Sequence, residues 1–125
     1  MRVISSSEAP APIGTYSQAI KVGDTVYISG QIPLGHDTQI LCSEDIAAQI
    51  KQVIKNMEAI SVAAGGSLAD VVKVTVYLMD LTHSTLVNEI MAAHFVTSYP
   101  ARAMIQVAGL PRGSQVEMDA IMVLR

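Results

Sequence analysis

Apolar residues alternate with polar ones in some stretches of the chain and recur every third or fourth position in others, and these two periods divide it into elements. Residues 2–5, RVIS, read as a short edge strand, and a Pro-rich loop follows through Thr15. QAIKV and TVYISGQI flank Gly23-Asp24 as a β-hairpin whose second arm sets Val26 and Ile28 against Tyr27 and Ser29. Residues 33–42, PLGHDTQILC, form a loop. Ile46, Ile50, Val53, Met57, Ile60 and Ala64 succeed one another at spacings of four and three, which predicts an amphipathic helix over 44–64. Ser43 is placed to cap it, Glu44 and Asp45 suit the positive end of its dipole, and Gly65-Gly66 stop it. VVKVTVYLM, 71–79, is so continuously apolar that it belongs inside a sheet. A second helix is predicted over 82–98, with Leu86, Ile90 and Ala93 as its inner stripe, and Pro100 prevents its continuation. Two strands finish the chain. The first, within YPARAMIQV, sets Arg102, Met104 and Gln106 opposite Ala103, Ile105 and Val107. The second is VEMDAIMVL, 116–124, joined to the first by AGLPRGSQ as a C-terminal hairpin.

The order hairpin, helix, strand, helix, hairpin predicts an α+β fold: a single mixed β-sheet with two helices packed on one face, in a single domain over 1–125. One layer of helices leaves the other sheet face uncovered, and strands apolar on both sides need a partner subunit over it. Composition sharpens this picture. Half of the 125 residues are hydrophobic and only 15% are charged, against a usual charged share of about 25%, so a second copy is expected to hide apolar surface. The net charge is −3, the 8 basic residues are scattered, and there is one Phe and no Trp. That pattern offers neither the electrostatic footprint nor the stacking platforms of a nucleic-acid binder. No uncharged apolar run approaches the ~18–20 residues of a membrane span. MRVISSSEAPAPIG lacks the apolar run of a secretion signal, and the lone Cys42 has no internal disulfide partner, so the expected location is cytoplasmic.

Most chemical signatures are missing. There is no Walker loop, GxGxxG, GxSxG or CxxC, and His36, His83 and His94 make no metal pattern. Even on one helix face, His83 and His94 would stand ~16 Å apart along the axis. Cys42 has no basic neighbour and reads as inert. What stands out is chemistry on the last two strands. Arg102 opens an apolar strand two residues after a proline that fixes the chain's approach. Glu117 and Asp119 share a face with Ile121 and Val123 on a strand that looks covered on both sides. Burial would raise a carboxyl pKa toward general acid/base use, and a guanidinium fork suits a substrate carboxylate. A structural ion pair between Arg102 and one of the acids explains the spacing equally well.

Several separated motifs, in order, resemble the RidA (YjgF) family of reactive-intermediate deaminases: APAPIGTYSQAI, YISGQIP at 27–33, VVKVTVYLMDL, Asn88, YPAR and VAGLPRGSQVEMDAI. The resemblance covers nearly the whole length. It implies a chorismate-mutase-like fold and a homotrimer with a central β-barrel, with active sites in the clefts between subunits. It also implies hydrolysis of 2-imino acids of the 2-iminobutyrate and 2-iminopropionate type, released as enamines by PLP-dependent dehydratases, to 2-keto acids and ammonia, with no cofactor and no metal. By that resemblance Arg102 clamps the substrate carboxylate and Glu117 holds and activates the attacking water. Tyr16 lines the cleft, Ser29-Gly30 shape its floor, and Asn88 supports it. The chain departs from the family at Gly14-Thr15-Tyr16, where Gly-Pro-Tyr is usual, and at Arg102-Ala103-Met104, where Arg-Ser-Cys or Arg-Ser-Thr is common. It departs again at Gln106 and Asp119, commonly Glu, and at DLTHS, 80–84. Met104, on Arg102's face by alternation, is expected to enter the pocket wall and make it more apolar. Two other functions fit the family: non-catalytic binding of small carboxylic acids through Arg102, and an endoribonuclease or translation inhibitor. Glu117 speaks against the first and the acidic balance against the second.

Overall fold

The computed structural model describes residues 1–96 and 98–125. Its hairpin forms as the alternation predicts. Strand β2 (Ala19–Val22) returns as β3 (Thr25–Gln31) through Gly23-Asp24, where Gly23 takes a φ of +59° that suits a residue without a Cβ. Strand β1 (Arg2–Ile4) adds antiparallel to β2 at the sheet edge. Val26 and Ile28 are buried on one face while Tyr27 stays half-exposed on the other.

Helix α1 (Ile46–Ala63) buries Ile50, Val53, Ile54, Met57 and Ile60. It starts two residues later than predicted because Asp45, not Ser43, is the cap: the Asp45 carboxylate accepts from Ala48 N (2.9 Å), and Ser43 Oγ accepts from Asp45 N (3.0 Å). At its other end Gly65, at φ +99°, lets Gly65 N bond Val62 O and Gly66 N bond Ser61 O, the paired bonds of a Schellman stop. Strand β4 (Val71–Leu78) buries Val74, Val76 and Leu78 on the helix side and presents Lys73, Thr75 and Tyr77 on the other. Helix α2 is shorter than expected, Ser84–His94 after a 3-10 turn at Leu81–His83. Extended Phe95, buried in the core, ends it before Pro100 could act. Position 97, inside the predicted span, lies outside the described residues. The inner stripe is Val87, Ile90 and Met91; Leu86 is partly buried and Ala93 exposed. Both sets satisfy the helical period, and packing against α1 and the core selects the observed one.

The sheet overturns one expectation. Its order is β1-β2-β3-β6-β4-β5, with β5 (Ala101–Gln106) parallel to β4, and β6 (Val116–Val123) antiparallel to both β3 and β4. The last two strands therefore form no hairpin. β6 buries Val116, Met118, Ala120 and Met122 against the helices, and a strand with so apolar a face is best placed where both its edges are paired. β5, largely exposed, takes the outside edge. Both helices cover one face of this six-stranded mixed sheet. The other face is open: Val3, Val22 and Tyr27 are exposed by 54%, 52% and 52%, and Ile105 and Val123 lie on it too. No described helix is long and apolar enough to cross a membrane.

Candidate active site

Register decides where the chemistry sits. Glu117 pairs across β6 and β4 with Tyr77, and Asp119 with Thr75, so both acids stand on the open face. Beside Glu117 the β3–β6 register slips by one between Ile28 and Gln31, a bulge that holds Ser29-Gly30. A Cβ at Gly30 would overlap the Glu117 carboxylate, so the glycine is what allows the acid to lie against the β3 backbone. Ser29 is fixed by a bond from its N–H to Gln18 O (2.9 Å) and from its hydroxyl to Ser17 O.

Around Glu117 lies a cavity of about 320 Å³ whose walls include Tyr16, Ser29, Gly30, Ile13, Ile32 and Leu34. Buried amides hold those walls. Gln18 Nε2 donates to Ser6 O (3.1 Å) and Pro10 O (2.8 Å), tying down the N-terminal loop. From α1, Asn56 Nδ2 donates to Ile32 O (3.3 Å) and Leu34 O (3.1 Å). Tyr16, half-exposed, accepts from Ile13 N (3.2 Å) through its hydroxyl. Burial first, and then the charge of Asp119, push the Glu117 carboxyl above its ordinary pKa. Asp119 accepts from Tyr77 Oη (2.7 Å), a bond that raises the tyrosine's own pKa.

Arg102 lies elsewhere. It pairs with Val74, a core-face residue, and so points to the helix side of the edge strand. There its Nη1 donates to Asn88 Oδ1 (2.6 Å) on α2 and reaches Met91 Sδ (3.7 Å), at a second concavity bounded by Tyr99 and Pro100. The sequence-predicted residues thus form two groups in one chain: Glu117, Tyr16, Ser29 and Gly30 in one, Arg102 and Asn88 in the other. β4 and the thickness of the sheet separate them. Met104 is in neither group; it packs against the core beneath its strand. The alternative reading of Arg102, an ion pair with an acid of β6, does not hold, since no such pair is formed. Cys42 is exposed, with its thiol pushed up by partial burial. Among the described residues no group of three His, Cys, Asp or Glu side chains is placed to hold a metal ion.

Sequence reasoning missed Gln18 and Asn56 as anchors of the walls and Arg112 on the cavity rim. Asn56 had a readable signal, an amide inside the stripe Val53, Met57, Ile60.

The profile of the endoribonuclease L-PSP family matches residues 6–124. The human 2-iminobutanoate/2-iminopropanoate deaminase is 47% identical over 122 residues, 98% of this chain and 89% of its own. The crystal structure of RidA from the Antarctic bacterium Psychrobacter sp. PAMC 21119 superposes with a TM-score of 0.96 at 49% identity, covering 99% of this chain and 100% of that one. E. coli TdcF, solved with bound serine, superposes with a TM-score of 0.93 at 36% identity and full coverage of both chains.

Proposed function

This chain belongs to the endoribonuclease L-PSP family, the YjgF/RidA proteins, and on that premise we propose that it hydrolyses 2-imino acids and their enamine tautomers to 2-keto acids and ammonia. The observation that carries the reading is Glu117, a half-buried carboxyl of raised proton affinity set against Gly30 in a largely apolar cavity. A carboxylate with a raised pKa is a better base at neutral pH. Glu117 takes a proton from water as the water oxygen bonds to the imine carbon, and the C=N π pair moves to nitrogen and takes that proton from Glu117 as an N–H bond. The carboxylate then accepts the carbinol O–H proton and passes it to the amine nitrogen. The C–N bond breaks as the O–H electron pair closes the C=O bond, and a ketone and ammonia leave. One water is consumed and no redox partner is needed. Imines hydrolyse readily, so positioning and one acid/base group suffice.

Arg102 holds the substrate α-carboxylate in its planar fork, aimed by Asn88 Oδ1. Tyr16, Ser29 and Gly30 form the floor, and Met104 serves core packing. Because Arg102 and Glu117 face apart within one chain, a complete site takes Arg102 from one copy and Glu117 from the next. A homotrimer with its sites in the clefts between subunits meets this need, and the exposed apolar face of the sheet is the surface it would cover. Serine bound to TdcF and the substrates in the human relative's name are small α-substituted carboxylic acids of the class this site would take. The family's endoribonuclease label finds no support in a net charge of −3 with scattered basic residues.

The test generates 2-iminobutyrate in situ and follows its loss. Wild type accelerates it over buffer, and Arg102→Ala and Glu117→Gln each lower the rate by about 10²-fold or more. A wild type that binds 2-ketobutyrate yet leaves the buffer rate unchanged would make the protein a carboxylate binder and overturn the reading.

A further inference from the structure

Two described residues other than glycine hold a left-handed backbone, Gln39 at φ +57° and Arg112 at φ +61°, and they are bonded to each other. Arg112 Nη1 donates to Gln39 O (3.3 Å), and Gln39 Nε2 donates to Ala11 O (3.4 Å). Such backbone is costly for residues with a Cβ and gathers at functional sites. Here it joins three loops at the rim of the Glu117 cavity, which Ala11 and Arg112 both line. The turn that carries Arg112, Pro111–Gly113, is closed by a bond from the Ser114 hydroxyl to Pro111 O (2.6 Å). The turn thus fixes the Arg112 backbone, while its exposed side chain spends one of its five N–H donors, on Gln39 O. Among the described residues no carboxylate lies within 4 Å of it. It is also, among the described residues, the only cationic side chain lining a cavity whose remaining walls, beyond Glu117, are mostly apolar or backbone.

Building on the deaminase reading, we propose that Arg112 reads the far end of the substrate, so that the site favours 2-imino acids bearing a second carboxylate on the side chain over those with an alkyl side chain. The α-carboxylate is already assigned to Arg102. A second guanidinium, bonded at the rim to Gln39 O, has donors left for a second anion, and its planar fork matches a carboxylate. The left-handed turn fixes where this side chain leaves the backbone, and a donor partly positioned in advance loses less entropy when the ligand arrives. The competing role is a strap, in which Arg112 only ties the 35–42 loop to the rim. The two roles differ in what they do to selectivity: a strap supports every substrate alike, whereas a recognition residue supports one class.

The experiment compares 2-iminoglutarate with 2-iminobutyrate, each generated in situ by an amino-acid oxidase, using wild type, Arg112→Gln and Arg112→Lys. Wild type is expected to show the higher kcat/KM for the dicarboxylate. Arg112→Gln lowers the ratio of the two kcat/KM values by about tenfold or more, and Arg112→Lys keeps part of it. Equal falls for both substrates, or an unchanged ratio, would overturn the assignment. If neither imine is hydrolysed above the buffer rate, it is the deaminase reading that fails. Calorimetric binding of 2-ketoglutarate against 2-ketobutyrate then decides Arg112: a preference abolished by Arg112→Gln upholds its role, and equal affinities end it.

Discussion

Glu117 is placed where its charge is disfavoured, and its nearest acid makes this worse. Both the half-burial and Asp119 favour the protonated form. If Glu117 is the base, kcat/KM rises as pH climbs through its raised pKa. Asp119→Asn removes the repulsion while an amide oxygen can still accept from Tyr77, so the acidic limb of the pH–rate profile should move to lower pH. An unmoved limb would show that the limb belongs to another group. The linkage for stability has the opposite direction. A carboxyl with a folded pKa above its unfolded one binds more protons in the fold, so stability declines as pH rises from the ordinary carboxyl value through the raised one. Glu117→Gln should therefore melt higher than wild type at pH 7, with the gap narrowing toward pH 4, as scanning calorimetry can check. The two acids were readable in the sequence because they interrupt an apolar strand. Arg112 and Tyr77 were not, because an arginine in a Gly-Pro turn and a tyrosine in a strand look like ordinary surface and core residues until neighbours far along the chain come together.

Among elements, α1 does more than cover the sheet. Its buried Asn56 is the fastening for the 32–34 stretch that walls the cavity. Asn56→Ala leaves two backbone carbonyls short of a donor and should cost about 1–3 kcal/mol, read as a lower denaturant midpoint, together with lost activity. Periodicity revealed the helices and most strand faces, since spacing of apolar residues is a local property. Strand neighbours are not local. Alternation says which side of a strand is buried and nothing about which strand lies beside it, and for that reason the C-terminal hairpin was a misreading. The order β4–α2–β5 did hold a usable signal: strand, helix, strand is the pattern of a parallel crossover unit, and it places β5 next to β4. Arg102 then falls on the helix side and Glu117 on the open side, a split that no pattern within either strand discloses.

For the whole molecule, the proposed sharing of the site between copies predicts complementation. Arg102→Ala and Glu117→Gln chains, each inactive alone, should regain activity when denatured together and refolded. With random mixing of equal amounts, about a quarter of the sites between copies carry both native groups. No recovery in mixed oligomers confirmed by mass would place both groups in one chain's site. The sheet order carries a further consequence, for biosynthesis. β6 follows the other five strands and both helices along the chain, yet it occupies an interior position between β3 and β4. On a ribosome making the protein from its amino end, β3 and β4 wait with unsatisfied inner edges until residues 116–123 emerge from the exit tunnel. A nascent chain stalled before that point is a sheet split down the middle, exposed to chaperones and to pairing with its neighbours on the same messenger.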